Sequence, residues 1–79
     1  MQERSINVRA EFDPEAGVWV ASSEDICGLA VEAENLDKLM TKVLAALADL
    51  IELNGFEGHT PEIPVHLMAE QNLRLAGAA

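Results

Sequence analysis

Apolar and polar residues alternate along the first part of the chain. This period of two is typical of a β-strand with one buried face and one hydrated face. The positions expected on the buried face are Ile6, Val8, Ala10 and Phe12. The segment 13–17 then predicts a hairpin turn, because Pro14 suits its first central position and Gly17 accepts a positive φ. The β-branched and aromatic residues 18–21 predict the second strand.

The apolar spacing changes to three and four after a short third strand predicted at Leu29–Glu32. This spacing predicts one long amphipathic helix that begins at Leu36. Asn35 is a suitable N-cap, because its side chain can accept a free amide hydrogen of the first turn. Asn54-Gly55 predicts a left-handed C-cap. The stripe expected to pack on the sheet comprises Leu36, Leu39, Met40, Val43, Leu44, Leu47, Leu50 and Ile51.

Alternation returns in residues 63–70, which predict a final strand. Pro64 places this strand at a sheet edge or stands at its beginning, because proline donates no ladder hydrogen bond. Leu73 and Leu75 fall in a tail that either packs or frays. The predicted fold is α+β in the order β-β-β-α-β, one domain over residues 1–79. A three-stranded antiparallel sheet carries the helix on one face, and a fourth strand follows.

Charge narrows the classes of partner. The chain has 79 residues with 14 acidic and 5 basic side chains, a formal charge of −9. Phosphate backbones are bound largely by Lys and Arg, so we expect no direct nucleic-acid partner. A basic protein is the natural complement, although an acidic surface also favours solubility without any partner. Because so short a chain builds a small core and a single cysteine excludes an internal disulfide, we expect a homo-oligomer.

The chain shows neither a membrane span nor a targeting segment. Asp49 and Glu52 interrupt its longest apolar stretch, which argues against a span. The N-terminal residues lead into the first strand without an apolar signal core, so we expect a cytoplasmic protein.

No residue pattern predicts catalysis, a cofactor or a metal. Carboxylates near the strand ends are the first candidates for a metal site, but their turn and outward positions favour a solvated surface. These residues are Glu11, Asp13, Glu15, Glu24 and Asp25. Cys27 has no neighbouring histidine to activate it, so we expect a partly buried, inert thiol. His59 and His66 do not have the spacing of a ligand pair.

Trp19 has two interpretations. If Val18 and Val20 face the helix, the indole lies on the open side of the sheet, where an exposed aromatic is a typical interface anchor. If the alternation is reversed, Trp19 is the largest side chain of the core.

Three consecutive segments carry a family resemblance: Phe12–Ser22, Asp25–Leu29 and Glu32–Leu39. Together they resemble a group of small bacterial domains of unknown function related to HicB-type antitoxins. In that group a D-x-E-A-x-V-W-V-A hairpin precedes a D-[IL]-P-G turn, a strand, a helix N-cap and a long apolar helix ending in Asn-Gly. Cys27 stands where the family turn usually has proline, which leaves the backbone less restrained there.

The resemblance implies a truncated RNase H-like arrangement without nuclease activity. HicB-type proteins bind and block HicA toxins, which are small basic proteins that cleave mRNA. Many carry a C-terminal DNA-binding domain, and we expect none here, because the sequence offers no basic recognition helix before Ala79.

Our leading hypothesis is therefore a non-enzymatic, HicB-like protein-binding module that neutralises a basic toxin or is an orphan of such a system. Its candidate partner-binding residues are Trp19, Glu11 and Asp25. The alternatives are a self-associating structural domain and a metal-dependent nuclease of RNase H type.

Overall fold

The computed structural model describes residues 5–54 and 63–77 of the chain. The element order is the predicted one, with four strands and one helix. The elements are β1 (Ile6–Asp13), β2 (Val18–Ser22), β3 (Ala30–Ala33), α1 (Leu36–Asn54) and β4 (Val65–Glu70). The α+β prediction is confirmed, and the observed bounds differ from the predicted ones by one or two residues.

The four strands form one mixed sheet in the order β3-β2-β1-β4. β1 pairs antiparallel with β2, and β2 pairs antiparallel with β3. β4 lies at the edge and runs parallel to β1, which requires a long crossover connection, and α1 lies within it. Pro64 immediately precedes β4, and its carbonyl accepts a hydrogen bond from the Ile6 amide at 2.9 Å. Proline therefore stands at the beginning of an edge strand, where its missing N–H costs no ladder bond.

The β1–β2 hairpin closes as the sequence predicts. The Gly17 amide donates to the Asp13 carbonyl at 2.8 Å, and Gly17 has a φ of 69°. The Asp13 carboxylate accepts hydrogen bonds from the amides of Glu15 at 3.0 Å and Ala16 at 3.4 Å. Asp13 therefore holds the turn through both its carbonyl and its side chain.

The core lies between α1 and one face of the sheet. The helix packs over β2 and β3 and buries Leu39, Val43 and Leu47. The alternating residues of β1 form the floor of this layer. The buried apolar residues are Ile6, Val8, Ala10, Ala21, Ile26, Leu29, Ala33, Leu39, Val43 and Leu47. Small side chains such as Ala21 on β2 and Ala33 on β3 let the helix approach the sheet closely.

The first turn of α1 is capped as predicted. The Asn35 side-chain oxygen accepts a hydrogen bond from the Lys38 amide at 2.8 Å, and the Asn35 carbonyl accepts one from Leu39 at 3.0 Å. Asn35 thus satisfies one of the amides that a helix leaves free at its N-terminus. The predicted C-cap at Gly55 lies outside the described residues.

Part of the predicted helical stripe is not buried, contrary to expectation. Lys42 donates from Nζ to the Glu32 carbonyl on β3 at 2.9 Å, so this flank of α1 faces β3. At 100° per residue, Met40 and Leu44 lie on the opposite flank, away from the Lys42 contact with β3. They are 42% and 57% exposed, and among the described elements α1 packs on β2 and β3 rather than on β1 or β4.

Trp19 lies on the helix side of the sheet, which decides between its two interpretations. It is half-buried and packs against the core, and its strand neighbours in register are Phe12 and Ala33. The rings of Phe12 and Trp19 meet edge to face, with centroids 5.4 Å apart and planes inclined by 62°. This is a favourable aromatic geometry, so Trp19 serves packing and is not on the open face.

Candidate functional site

The sheet face opposite α1, which we call the open face, carries no covering element among the described residues. Successive side chains of a strand point to opposite faces, so Asn7, Arg9 and Glu11 lie there while their neighbours enter the core. Their exposure alternates accordingly. The outward position expected for Glu11 is therefore confirmed.

Three glutamates lie in one row across this face. Glu11 is in register with Glu70 on β4 and with Val20 on β2, and Val20 is in register with Glu32 on β3. We call Glu32, Glu11 and Glu70 the acidic row. All three side chains are exposed. The row spans the full width of the sheet, with Val20 in the gap between Glu32 and Glu11.

Little positive charge offsets the acidic row. Arg9 approaches Glu70, with Nη2 and Oε1 3.5 Å apart and side chains 66% and 73% exposed. Such an exposed pair contributes at most about 1 kcal/mol. Among residues 5–54 and 63–77 no ion pair involves Glu11 or Glu32. Like charges on adjacent strands repel. A cationic group from a partner would therefore reduce the repulsion among the carboxylates of the acidic row.

Apolar side chains lie among these charges. Met68 is 64% exposed and lies in register with Arg9, and Val20 is 37% exposed within the acidic row. Methionine is flexible and polarizable, and adapts to irregular partner surfaces. The open face therefore carries exposed apolar area beside its charged side chains.

A groove of about 650 Å³ runs along one end of the open face, between β4 and the loop that follows β2. Its lining includes Asn7, Arg9, Ser23, Asp25, Met68 and Glu70. Most of these residues are polar or charged, but apolar atoms supply the larger part of the groove surface.

Asp25 holds the loop at this groove. Its Oδ2 accepts hydrogen bonds from the Asn7 amide at 2.7 Å and from Asn7 Nδ2 at 3.2 Å. Ser23 Oγ donates to the Asn7 carbonyl at 2.6 Å and accepts from the Asp25 amide at 3.1 Å. β2 ends at Ser22, so these side chains satisfy the backbone of β1 where its neighbouring strand is missing.

The predicted partner-binding residues do not form one cluster. Glu11 lies in the acidic row, while Asp25 bonds to Asn7, four residues or about 13 Å away along β1. Trp19 lies on the other face. Sequence reasoning missed Glu70 and Glu32. The alternation of Glu70 with Leu67 and Ala69 indicates that Glu70 lies on the face opposite these apolar residues. That Glu70 lies beside Glu11 follows only from the parallel pairing of β4 with β1.

The candidate chemical groups are dispersed. In the part of the chain that the structure describes, no three His, Cys, Asp or Glu side chains gather into a group able to hold a metal ion. Cys27 is exposed, so the expectation of partial burial is wrong; it lies in the turn before Gly28, whose φ is 94°. His66 is exposed on β4, and His59 lies outside the described residues.

No helix in residues 5–54 and 63–77 has the length and apolar content needed to cross a membrane.

Comparison with known proteins places the chain in a family. The model of a domain of unknown function, DUF1902, matches residues 5–76. The chain belongs to this family. The expectation of a domain family of unknown function is thus confirmed, while the relation to HicB-type antitoxins stays a prediction. No curated protein matches the chain.

A solved structure supports the fold. The chain is similar to the crystal structure of hypothetical protein TTHA1013 from the extremely thermophilic bacterium Thermus thermophilus. The two are 42% identical with a TM-score of 0.69, and the match covers 94% of this chain and 100% of that one. At this identity the DUF1902 chain and its relative share one architecture.

Proposed function

We propose that this DUF1902 domain is a non-enzymatic protein-binding module that takes a small basic protein on the acidic row of its open face. In the form that the family resemblance suggests, the partner is a HicA-type toxin and the domain is its antitoxin or an orphan of such a system. The observation that carries the proposal is the alignment of Glu32, Glu11 and Glu70 across an uncovered sheet face.

Two further properties support a basic protein as the partner. The formal charge of −9 attracts a cationic protein over a distance and raises the rate of encounter. Met68 and Val20 offer exposed apolar contact beside the carboxylates, as a protein surface would require. The proposal does not use Trp19, which packs against Phe12. Asp25 contributes by holding the groove wall in place.

Co-expression in bacteria tests the proposal. The toxin is the small basic protein encoded beside the gene for this chain, or each member of a panel of HicA toxins where no such gene adjoins it. The wild-type domain should restore growth and co-purify with the toxin. The triple variant E11K/E32K/E70K should do neither, because it replaces the acidic row by cations that repel a basic partner.

A matched triple variant replaces three glutamates outside the acidic row by lysine and so changes the net charge by the same amount. Glu15, Glu34 and Glu52 are exposed residues of the turn, the loop before α1 and the helix, so E15K/E34K/E52K has the same net charge. It should retain most of the rescue. Failure of the wild-type domain with every toxin, or equal loss in both triple variants, would exclude the acidic row as the binding site.

A further inference from the structure

The seven residues after β4 form an arm that packs on nothing in the described part of its own chain. Residues 71–77 carry neither helix nor strand and are all exposed. Leu73 is 82% and Leu75 96% exposed. The radius of gyration is 15.2 Å and the longest extent 57 Å, whereas a compact domain of this length has a radius of about 12 Å. The arm therefore projects from the body.

The arm continues the alternation of β4. Val65 and Leu67 lie in register with Ile6 and Val8, which are core residues, so the odd-numbered positions of β4 face the helix side. Leu73 and Leu75 keep this odd numbering, so a strand-like extension of β4 would place both on one side and Arg74 on the other. Two leucines on a common side would give the arm an apolar contact surface.

The same chain offers a surface of matching chemistry. Met40 and Leu44 form the exposed flank of α1 that faces away from β3. Val65 and Leu67 are only half-buried on the helix side of β4. We call these four residues the apolar flank. Its two β4 residues lie on an edge strand, because the strand order leaves β4 paired with β1 alone.

We infer that the arm of one chain docks on the apolar flank of a second copy, and that the second chain returns the contact. The arm cannot serve its own flank in this conformation, since its leucines remain exposed. A reciprocal exchange forms every contact twice, as a two-fold dimer does. It also covers the free edge of β4, which a lone chain leaves open to pairing.

The charge of the arm is opposite in sign to that of the body on which it would dock. The arm carries Arg74 and no other charged residue, so its charge is +1. Because the whole chain totals −9, the remainder carries −10. An apolar arm with a cation is attracted to an acidic body of this kind, which lowers the repulsion between two acidic chains. The open face stays free in this dimer, so partner binding and self-association use different surfaces.

Sedimentation equilibrium of the full-length chain tests the inference. The wild type should be a dimer at micromolar concentration, and L73E/L75E should be a monomer, with a dimer dissociation constant raised at least about tenfold. The acceptor variant L44E should be equally monomeric. Leu44 and both arm leucines are exposed in one chain, so circular dichroism should show that each variant keeps its helix.

Leu53 provides the matched control, since it is 80% exposed and lies on the α1 flank that carries Lys42. L53E adds the same charge to the same residue type and should remain dimeric. A second control mixes two variants that should each be monomeric alone: a chain lacking residues 71–79, which keeps the apolar flank, and L44E, which keeps the arm. The mixture should form a heterodimer in which the arm of L44E docks on the flank of the truncated chain. A monomeric wild type, or a dimer that persists in L73E/L75E, would overturn the inference.

Discussion

Glu11 and Glu70 are neighbours in register on the parallel strands β1 and β4, and both carboxylates face the side of the sheet without a helix. Like charges in such cross-strand positions destabilise a sheet by a few tenths to about 1 kcal/mol. A local arrangement that costs stability is a common property of binding surfaces, where a partner supplies the missing charge. The proposed function rests on this relationship.

Removing one charge of this pair should stabilise the free domain. Glu11→Gln keeps the size and exposure of the side chain and leaves the Arg9–Glu70 pair intact. We expect the free energy of unfolding in urea to rise by about 0.2–1 kcal/mol at low salt, and less at high salt. Glu15→Gln removes a charge at the turn and reports the general effect of lowering the net charge. An equal gain in both variants would show that the pairing itself has no effect.

Loss of the Asp25 carboxylate should loosen the loop after β2. Asp25→Ala removes two hydrogen bonds to Asn7 and should lower the free energy of unfolding by about 1–2 kcal/mol. Hydrogen exchange of the Asn7 amide should become faster. The neighbouring Glu24→Ala should leave both quantities nearly unchanged. If the Asn7 amide keeps its protection in Asp25→Ala, the carboxylate is not its acceptor.

The cap of α1 gives a prediction for helix stability. Asn35→Ala removes the acceptor for the Lys38 amide and should cost about 0.5–2 kcal/mol. Asn35→Asp should retain most of the stability, because a carboxylate accepts the same bond and favours the positive end of the helix dipole. Glu34→Ala, one residue earlier, is the control. Thermal unfolding followed by circular dichroism at about 222 nm measures all three variants.

Gly17 is required for its backbone conformation rather than for space. Its φ is 69°, and an added Cβ would meet nothing within 4 Å. Gly17→Ala should therefore cost about 1–2 kcal/mol from the left-handed conformation alone. Gly77 also has open space around it, without a left-handed φ, so Gly77→Ala should be neutral. Equal unfolding midpoints for the two variants would contradict this assignment.

Local patterns predict the elements of this fold well. The alternation in β1, the turn at Pro14–Gly17, the cap at Asn35 and the spacing of α1 each depend on residues close in sequence. The predicted and observed starts of the helix coincide at Leu36. These signals are strong because each element has one apolar side and one polar side.

The remaining features depend on tertiary contacts that local patterns do not contain. β2 carries apolar residues on both faces, so its alternation could not assign a face to Trp19. The exposure of Met40 and Leu44 follows from where α1 rests on the sheet rather than from its stripe. The parallel pairing of β4 with β1 joins segments that are distant in sequence, so local patterns could not predict it. For the same reason they could not predict that Glu11 and Glu70 are neighbours.

The most direct test of the central claim is a calorimetric titration of the purified basic toxin that the co-expression experiment selects. We expect E11Q/E70Q to weaken binding at least about tenfold at low salt, because two carboxylates of the acidic row lose their attraction for the partner. E15Q/E34Q, with the same net charge, should bind within about twofold of the wild type. Equal dissociation constants for these two double variants would contradict binding on the open face.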